Sequence, residues 1–564
     1  MEITTLRHSL AHVLAAAVQN LFPEVKLGIG PAVENGFYYD FDSEHKFTPE
    51  DLIKIEKEMK NIIDKDFPFV RKEISKTEAK KLFSKEKYKL ELLDGLDSTP
   101  TIYTTGPFVD LCAGPHVKST RELKAFKLLR ISGAYWKGDS ANAQLQRIYG
   151  TAFTDKKELR IYLDMLVQAK KRDHRKLGKE LDLYSFHEEA PGMPFIHPNG
   201  MVIWGELMKY WEEIHSQADY KLTKTPIILN QKLWLQSGHW DHYQENMYFT
   251  KIDKEDYAVK PMNCPGGILI YKTKTRSYRD FPLRMGEVGL VHRHELSGVL
   301  SGLFRVRSFH QDDAHIYCTE DQIESEVVNM IDLFGEVYSK FGLEFTVELS
   351  TKPEKAMGDP KVWEKAENSL AEAMKTKGIR YKINPGDGAF YGPKLDFHIR
   401  DAIGRTWQCG TIQLDFQMPD KFDLHYEGSD GERHRPVMLH RVVYGSVERF
   451  FGILVEHYAG KFPLWLSPTQ VVLITVADKH NDYAIKLQEE MKAKGIRAEV
   501  DIRMESIPKK VRDNQSKKIP YMITIGDKEM ESDVLAVRTR DNKISDVEKK
   551  EFISNVLKEI KDRS

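Results

Sequence analysis

EVGLVHRHELSGVLSGLFRVRSFHQDDAHIYC, residues 287–318, reads as a strand, a Gly/Ser-rich loop (Ser297 to Gly302) and a second strand, a long-looped hairpin. Side chains on a strand alternate faces, so residues two apart look the same way. On the second strand that parity gathers Arg305, Arg307, Phe309, Gln311, Asp313 and His315; on the first it gathers Arg293 and Glu295. Such a face makes a poor core, because burying these groups unpaired costs roughly 2–7 kcal/mol each. It suits the floor of a site for a charged, planar, polar ligand. Guanidinium groups match phosphate oxygens, and Phe309 can stack on a flat base. The alternative is a wet outer sheet face laced with cross-strand ion pairs, and a bulge would scramble the parity.

The rest of the chain sets the frame. At 564 residues it holds roughly three or four domains. Hydrophobic residues are 41% and charged residues 30%, ordinary for a soluble protein with several cores. The longest clean apolar run, Val471 to Ala477, is a buried strand by length and falls far short of a membrane span. No basic-then-apolar signal opens the chain. Four cysteines (Cys112, Cys264, Cys318, Cys409) make no disulfide framework, and a reducing cytoplasm is expected. With a net charge of −1, any polyanion must be met by local patches.

Toward the N-terminus, Arg7 to Phe22 has a helical pattern that puts His8 and His12 on one face. Farther on, Asp110-Leu-Cys-Ala-Gly-Pro-His116 turns at Gly114-Pro115, with Cys112 and His116 on its two sides. Three imidazoles and a thiol could form a four-ligand zinc site or line a wet cleft without metal. Thr48-Pro49 followed by Leu52, Ile55, Met59 and Ile62 is a capped amphipathic helix. Asp155 to Lys179 patterns as one helix ending in the basic run Lys170, Lys171, Arg172, Arg175, Lys176, Lys179. That run is either a solvated face or a contact for nucleic-acid phosphate.

Toward the C-terminus, Met201 to Ser216 is an amphipathic helix. Lys260-Pro-Met-Asn-Cys-Pro-Gly266 holds Cys264 in a stiff turn, where a lone thiol is by itself an inert apolar group. Tyr391-Gly-Pro-Lys394 is a Gly/Pro turn, and Trp407 to Phe416 is a strand carrying Gln408 and Gln413. Val442 to Glu456 gives a strand, Gly445 and an apolar helix bearing Arg449, whose charge needs a partner such as a phosphate. From Ser467 on, strands Val471–Ala477, Arg497–Asp501, Tyr521–Ile525 and Val534–Thr539 mix with helices Asn481–Lys494 and Ser545–Lys561, a small α/β domain. Between Arg503 and Lys518 six basic residues face two acidic ones.

RVRSFHQDDAHIYC resembles motif 2 of the class II aminoacyl-tRNA synthetases in the form seen in threonyl enzymes, and the resemblance extends over nearly the whole chain. It implies an α+β multidomain fold. An α+β editing domain would span 1–153, a connecting helix 154–180, an antiparallel-sheet class II catalytic domain 181–466 and an α/β anticodon-binding domain 467–564. The small TGS domain that precedes editing in many bacterial members is expected to be absent. HSLAH and CAGPH resemble the editing domain shared by threonyl and alanyl enzymes. His8, His12, Asp110, Cys112 and His116 would then serve hydrolysis of seryl-tRNA, without metal in the threonyl type. The helix Met201–Ser216 resembles motif 1 and implies a homodimer.

The resemblance also implies one Zn2+ per chain, held by Cys264, His315 and His440, whose separations of 51 and 125 residues match no short-range zinc spacing. A three-ligand ion has room for an amine and a hydroxyl together. Valine lacks the hydroxyl and would be rejected where an apolar pocket would admit it. Serine would pass, which explains a second, hydrolytic site. Asp313 would take the hydroxyl's hydrogen, Phe309 would stack on adenine, and Arg293, Arg305 and Arg449 would face phosphate. Glu295, Gln311, Tyr391, Gln408 and Gln413 would line the ATP and amino-acid sites, with Lys394 at the reacting groups and Mg2+ arriving with ATP. Glu529 and Arg538 match positions that read anticodon bases. The chain departs from the pattern at Gly267, where NCPGH ends in histidine, and at Met504, where asparagine is common. The expected activity is ligation of L-threonine to tRNA(Thr), driven by ATP. Its rivals are a class II ligase for another amino acid, a non-catalytic RNA-binding relative and a hydrolase of mischarged tRNA.

Overall fold

The computed structural model describes residues 2–139 and 141–564. The chain divides into two compact units, Met1–Val167 and Gln168–Ser564.

In the first unit the helix Ile3–Leu21 buries Leu6, Leu10, Val13, Leu14 and Val18. It shares a core with an antiparallel sheet ordered Lys26–Leu27, Gly36–Asp42, Gln144–Ala152, Phe126–Tyr135. The helix Pro49–Asp64 forms as its sequence asks. The Thr48 hydroxyl accepts from Asp51 N–H, the Asp51 carboxylate returns the bond, and Pro49 fills the first turn. A second antiparallel sheet, Phe69–Glu73, Thr101–Thr105, Phe108–Leu111, delivers Asp110 and Cys112 to one end.

The single helix expected over Asp155 to Lys179 is instead two, Lys156–Arg172 and His174–Glu180. Asp173 breaks it: its backbone leaves helical geometry, and its carboxylate accepts from the N–H of Arg175 as a new N-cap.

The second unit is built on an eight-stranded sheet. Its order is Lys221–Leu222, Leu283–His292, Ser308–Cys318, Val437–Ser446, Thr406–Asp415, Lys394–Arg400, Glu344–Ser350, Tyr381–Asn384. The outermost pairs are parallel and all inner pairs antiparallel. Helices Pro198–Gln217, Ile323–Lys340, Pro360–Thr376 and Val447–His457 pack into one core with Ala314, Ile316, Ile412, Leu439 and Val443. The opposite parity, represented by Tyr317 and Met438, joins a different cluster with Cys264 and Tyr391. The sheet therefore has one largely apolar face, broken by the buried Asp312 and Arg441, and one mixed face.

The hairpin is shorter than its sequence suggests. The strands end at His292 and begin again at Ser308, so Arg293, Glu295, Arg305 and Arg307 stand in the connection, which contains short 3-10 turns. The C-terminal part is a five-stranded sheet ordered Ala498–Asp501, Val471–Thr475, Tyr521–Ile525, Val534–Thr539, Ile544–Glu548. Its last strand takes residues expected to begin the closing helix, which starts only at Lys549.

Candidate active site

On Ser308–Cys318 the expected alternation holds. Phe309, Gln311, Asp313 and His315 lie opposite Val291, Gly289, Glu287 and Met285 of the neighbouring strand. Across the other edge His315 pairs with His440, their ring centroids 5.1 Å apart. Cys264 opens the helix Cys264–Tyr271 below them. One donor atom from each of Cys264, His315 and His440 lies within 4.8 Å of the others, and all three residues are buried. Residues 51 and 125 positions apart in sequence thus converge on one point.

The donor set fits a metal. His440 Nε2 lies 2.9 Å from Asp415 Oδ2, and its Nδ1 is buried with no hydrogen-bond partner. His315 Nε2 is likewise buried without a hydrogen-bond partner, 3.7 Å from Asp313 Oδ2. Burial pushes the Cys264 thiol up, but His440 and His315 together outweigh it and bring it down to about 7. His440 is in turn pushed up to about 10: burial lowers it, and Cys264 and Asp415 more than compensate.

This cluster borders a cavity of about 340 Å³, lined among others by Arg293, Gln311, Asp313, Tyr391, Thr411 and Gln413. Asp313 accepts from Asn263 Nδ2 at 3.2 Å, and the Tyr391 hydroxyl donates to Gln413. Asn263 reaches Asp313 across Gly289, where a Cβ would meet its side-chain oxygen at 2.2 Å. A second, larger cavity of about 860 Å³ shares Arg293, Gln311 and Thr411 and adds Glu295, Arg305, Phe309, Gln408 and Arg449. The Arg293 guanidinium sits 5.1 Å from the Phe309 ring centroid. Arg305 pairs with Glu295 at 3.2 Å. Arg449 Nε and Gln311 Oε1 are buried without partners. The two cavities thus meet at Arg293, Gln311 and Thr411, with a thiol–imidazole cluster on one side and guanidinium groups on the other.

Lys394 is the exception. Its ammonium is held by Asp396 at 2.6 Å and Asp387 at 3.0 Å, and it lines neither cavity. Asp396, which the sequence did not single out, also accepts from Gln408, Ser350 and Thr411. Asp415 likewise carried no sequence signal. An acidic residue on a strand becomes informative only once its neighbour across the sheet is known.

In the first unit His8, His12, Cys112 and His116 also converge, with donor atoms within 4.8 Å of one another. Cys112 Sγ lies 3.3 Å from both His8 Nε2 and His116 Nε2. Burial, then the neighbouring imidazoles, push His116 down to about 2, and His12 is held well below its ordinary range. Burial pushes the Cys112 thiol up to about 11. This cluster is therefore three neutral imidazoles and a protonated thiol, unlike the one around Cys264. Asp110 is fully enclosed, accepts from Tyr39 OH at 2.6 Å and pairs with Lys89. Lys89 is only 2% exposed, and reading the sequence missed it because a lysine on a short amphipathic helix is normally outside.

In the C-terminal part Glu529 is buried and accepts from the N–H of Gly526, capping its own short helix. Arg538, half-buried on the strand Val534–Thr539, donates to Asn542. Met504 is 91% exposed.

Comparison with known proteins bears on all three regions. The model of the tRNA synthetase class II core domain (G, H, P, S and T) matches residues 248–458, and that of the anticodon binding domain 470–560. The threonyl and alanyl tRNA synthetase second additional domain matches 101–149. A threonine–tRNA ligase of Acetivibrio thermocellus is 57% identical over 562 residues, covering 99% of this chain and 88% of its own. One of Carboxydothermus hydrogenoformans is 58% identical over 564 residues, covering 99% and 89%. Among solved structures, the RNA binding domain of threonyl-tRNA synthetase from Cryptosporidium parvum Iowa II superposes with a TM-score of 0.66 at 39% identity, over 68% of this chain and 97% of that one. The chain belongs to the threonine–tRNA ligase family, with a class II synthetase core, an anticodon-binding domain and the additional domain shared by threonyl and alanyl enzymes.

Proposed function

We propose that this protein activates L-threonine with ATP as threonyl-adenylate, passes the acyl group to tRNA(Thr), and hydrolyses seryl-tRNA(Thr) formed in error. The observation that carries the reading is the convergence of Cys264, His315 and His440 beside a cavity that runs into a guanidinium-lined one. Cys264, His315 and His440 would hold one Zn2+, whose open positions supply a Lewis-acid contact for an amino and a hydroxyl group. Asp313, fixed by Asn263, accepts the hydroxyl's hydrogen. Gln311, Gln413 and Tyr391 orient the rest of the amino acid. Phe309 stacks on adenine, with Glu295 and Gln408 on the nucleoside. Arg293, Arg305 and Arg449 stabilise charge on the phosphates, which arrive with Mg2+, as the carboxylate attacks and pyrophosphate leaves. Lys394 would keep Asp396 and Gln408 in place.

In the first unit a neutral imidazole of His8, His12 or His116 accepts a proton from the water that attacks the ester. Glu529 and Arg538 would read anticodon bases. The division of labour follows residues 1–153 for editing, 154–180 as connector, 181–466 for catalysis and 467–564 for the anticodon. A homodimer is supported by Leu222, Ile227 and Ile228, which are 54%, 41% and 46% exposed beyond the helix Pro198–Gln217. Among the described residues no helix is long and apolar enough to cross a membrane, and all four cysteines are free. Both fit a cytoplasmic enzyme.

ATP–pyrophosphate exchange tests the reading. Threonine and, more weakly, serine should drive exchange and valine should not, with activity lost on chelation and restored by Zn2+. Exchange driven by a different amino acid, or indifferent to stripping the metal, would refute it.

A further inference from the structure

The strand Val437–Ser446 is interrupted where the two cavities meet. Against Ser308–Cys318 it pairs from Val437 to Val442 and then only at Ser446, opposite Gln311. Against Thr406–Asp415 it pairs only up to Val442. Val443, Tyr444 and Gly445 are therefore left out of both ladders, and one residue, Asp312, faces all three. Such a bulge strands backbone N–H groups in the interior, where each needs an acceptor.

Asp312 supplies them all. Its Oδ2 accepts from the N–H groups of Val443 at 2.9 Å and Tyr444 at 3.0 Å, and its Oδ1 accepts from Gly445 at 2.8 Å. The indole N–H of Trp211, on the helix Pro198–Gln217, adds a fourth bond to Oδ2 at 3.2 Å. The carboxylate is wholly buried. It points away from the site, to the side opposite Gln311 and Asp313, so it touches no substrate.

What it fixes is spacing. On one side of the bulge His440 stands opposite His315 in the cluster beside the smaller cavity. On the other, the Ser446 hydroxyl accepts from Arg449 N–H and starts the helix that carries Arg449 into the larger cavity. We infer that Asp312 is a positioning residue for adenylate formation, setting the separation between the amino-acid half and the nucleotide half of the site through the backbone of residues 443–445. The inference rests on the proposed role of Arg449 at the phosphates.

Asparagine nearly matches aspartate in shape but turns one acceptor into a donor facing these N–H groups. In the full chain, Asp312→Asn should cut kcat of threonine-dependent ATP–pyrophosphate exchange at least tenfold and raise KM for ATP at least fivefold. KM for threonine should stay within twofold, and so should bound metal per chain. Ile316→Val, on the same strand and apolar face, controls for simple loosening: it should lower the melting temperature with both KM values unmoved. If Asp312→Asn behaves like Ile316→Val, the inference is overturned. If the variant does not fold, the wild type still decides by backbone hydrogen exchange. The amides of 443–445 should be protected as strongly as the paired residues 437–442, and exchange as fast as an open loop would overturn it. Absence of threonine-dependent exchange in the wild type would instead defeat the proposed function and leave the geometry of Asp312 standing.

Discussion

Gly267 shows how finely the cluster is packed, because a Cβ added there would stand 3.3 Å from His315 Nδ1, closer than ordinary contact. The threonyl resemblance puts a histidine at this place, and here the position is a glycine. Gly267→Ala should push His315 by a few tenths of an ångström and raise the half-saturating threonine concentration several-fold, about 1 kcal/mol by analogy with mild overpacking. Half-saturation by ATP should not move. Exchange kinetics with each substrate varied in turn would show it, and equal shifts for both would contradict the placement. Met504 is the second departure. At 91% exposure it costs the fold nothing to change. Restoring a hydrogen-bonding amide with Met504→Asn should raise kcat/KM for tRNA charging roughly two- to tenfold, the range of one net hydrogen bond, while leaving pyrophosphate exchange alone. An unchanged tRNA dependence would remove Met504 from the RNA contact. At this scale the sequence was legible unevenly. Alternation on one strand was enough to put Asp313 and His315 on a common face. Nothing local joined them to Cys264, since only the fold closes a gap of 51 residues. Lys89 was hidden by the opposite fault: its local pattern pointed outward, and burial beside Asp110 overrode it.

At the level of elements, regular periodicity carried and its ends did not. The strand Ser308–Cys318 keeps its expected faces throughout. Arg305 and Arg307 fall outside it because Gly302 takes a left-handed φ of +50° and starts a 3-10 turn, and Arg307 N–H is spent on Gly192 O. Both arginines still flank the connection, so a loop delivers what alternation had assigned to a strand. The break at Asp173 and the strand Ile544–Glu548 were missed for a shared reason: short polar residues serve equally as helix caps, turns or edge-strand surface. Gly445 is the element-scale residue whose identity is forced. Its φ is +80°, and a Cβ would lie 2.5 Å from the carbonyl oxygen of Cys409. Gly445→Ala should therefore strain the turn by about 1–3 kcal/mol and move the start of the helix Val447–His457. Pyrophosphate exchange should fall by at least a hundredfold, well beyond what the loss in thermal stability accounts for. A variant that keeps normal exchange would mean that the turn can relax without shifting Arg449.

Across the whole molecule the formal charge is −1 at pH 7 and turns positive as the 20 histidines protonate, and to that repulsion acid adds the cost of protonating groups buried neutral. His215 is wholly buried, donates from Nδ1 to the Trp211 carbonyl at 2.6 Å, and lies face to face with the Trp211 ring at 3.8 Å. Burial, helped by Arg441, pushes it down to about 2, and burial takes His239 down to about 3. In the unfolded chain both titrate near the ordinary histidine value of about 6.5. The folded state therefore binds fewer protons below that pH. Stability from these groups is fully present above it and drains away as pH falls, by about 1.4 kcal/mol per pH unit for each histidine. Asp312, pushed up to about 6 by burial, works in the other direction, since a raised carboxyl favours the folded state as pH falls through that value. Among these three groups the two histidines outweigh the one carboxyl as pH falls. His215→Phe keeps the ring on Trp211 and removes one titrating site. Between pH 6.5 and 5 the variant should lose about 2 kcal/mol less than the wild type, read from urea unfolding followed by tryptophan fluorescence at each pH. Parallel pH profiles for the two proteins would mean that His215 takes up its proton without leaving the fold, and that the burial described for it does not hold in solution.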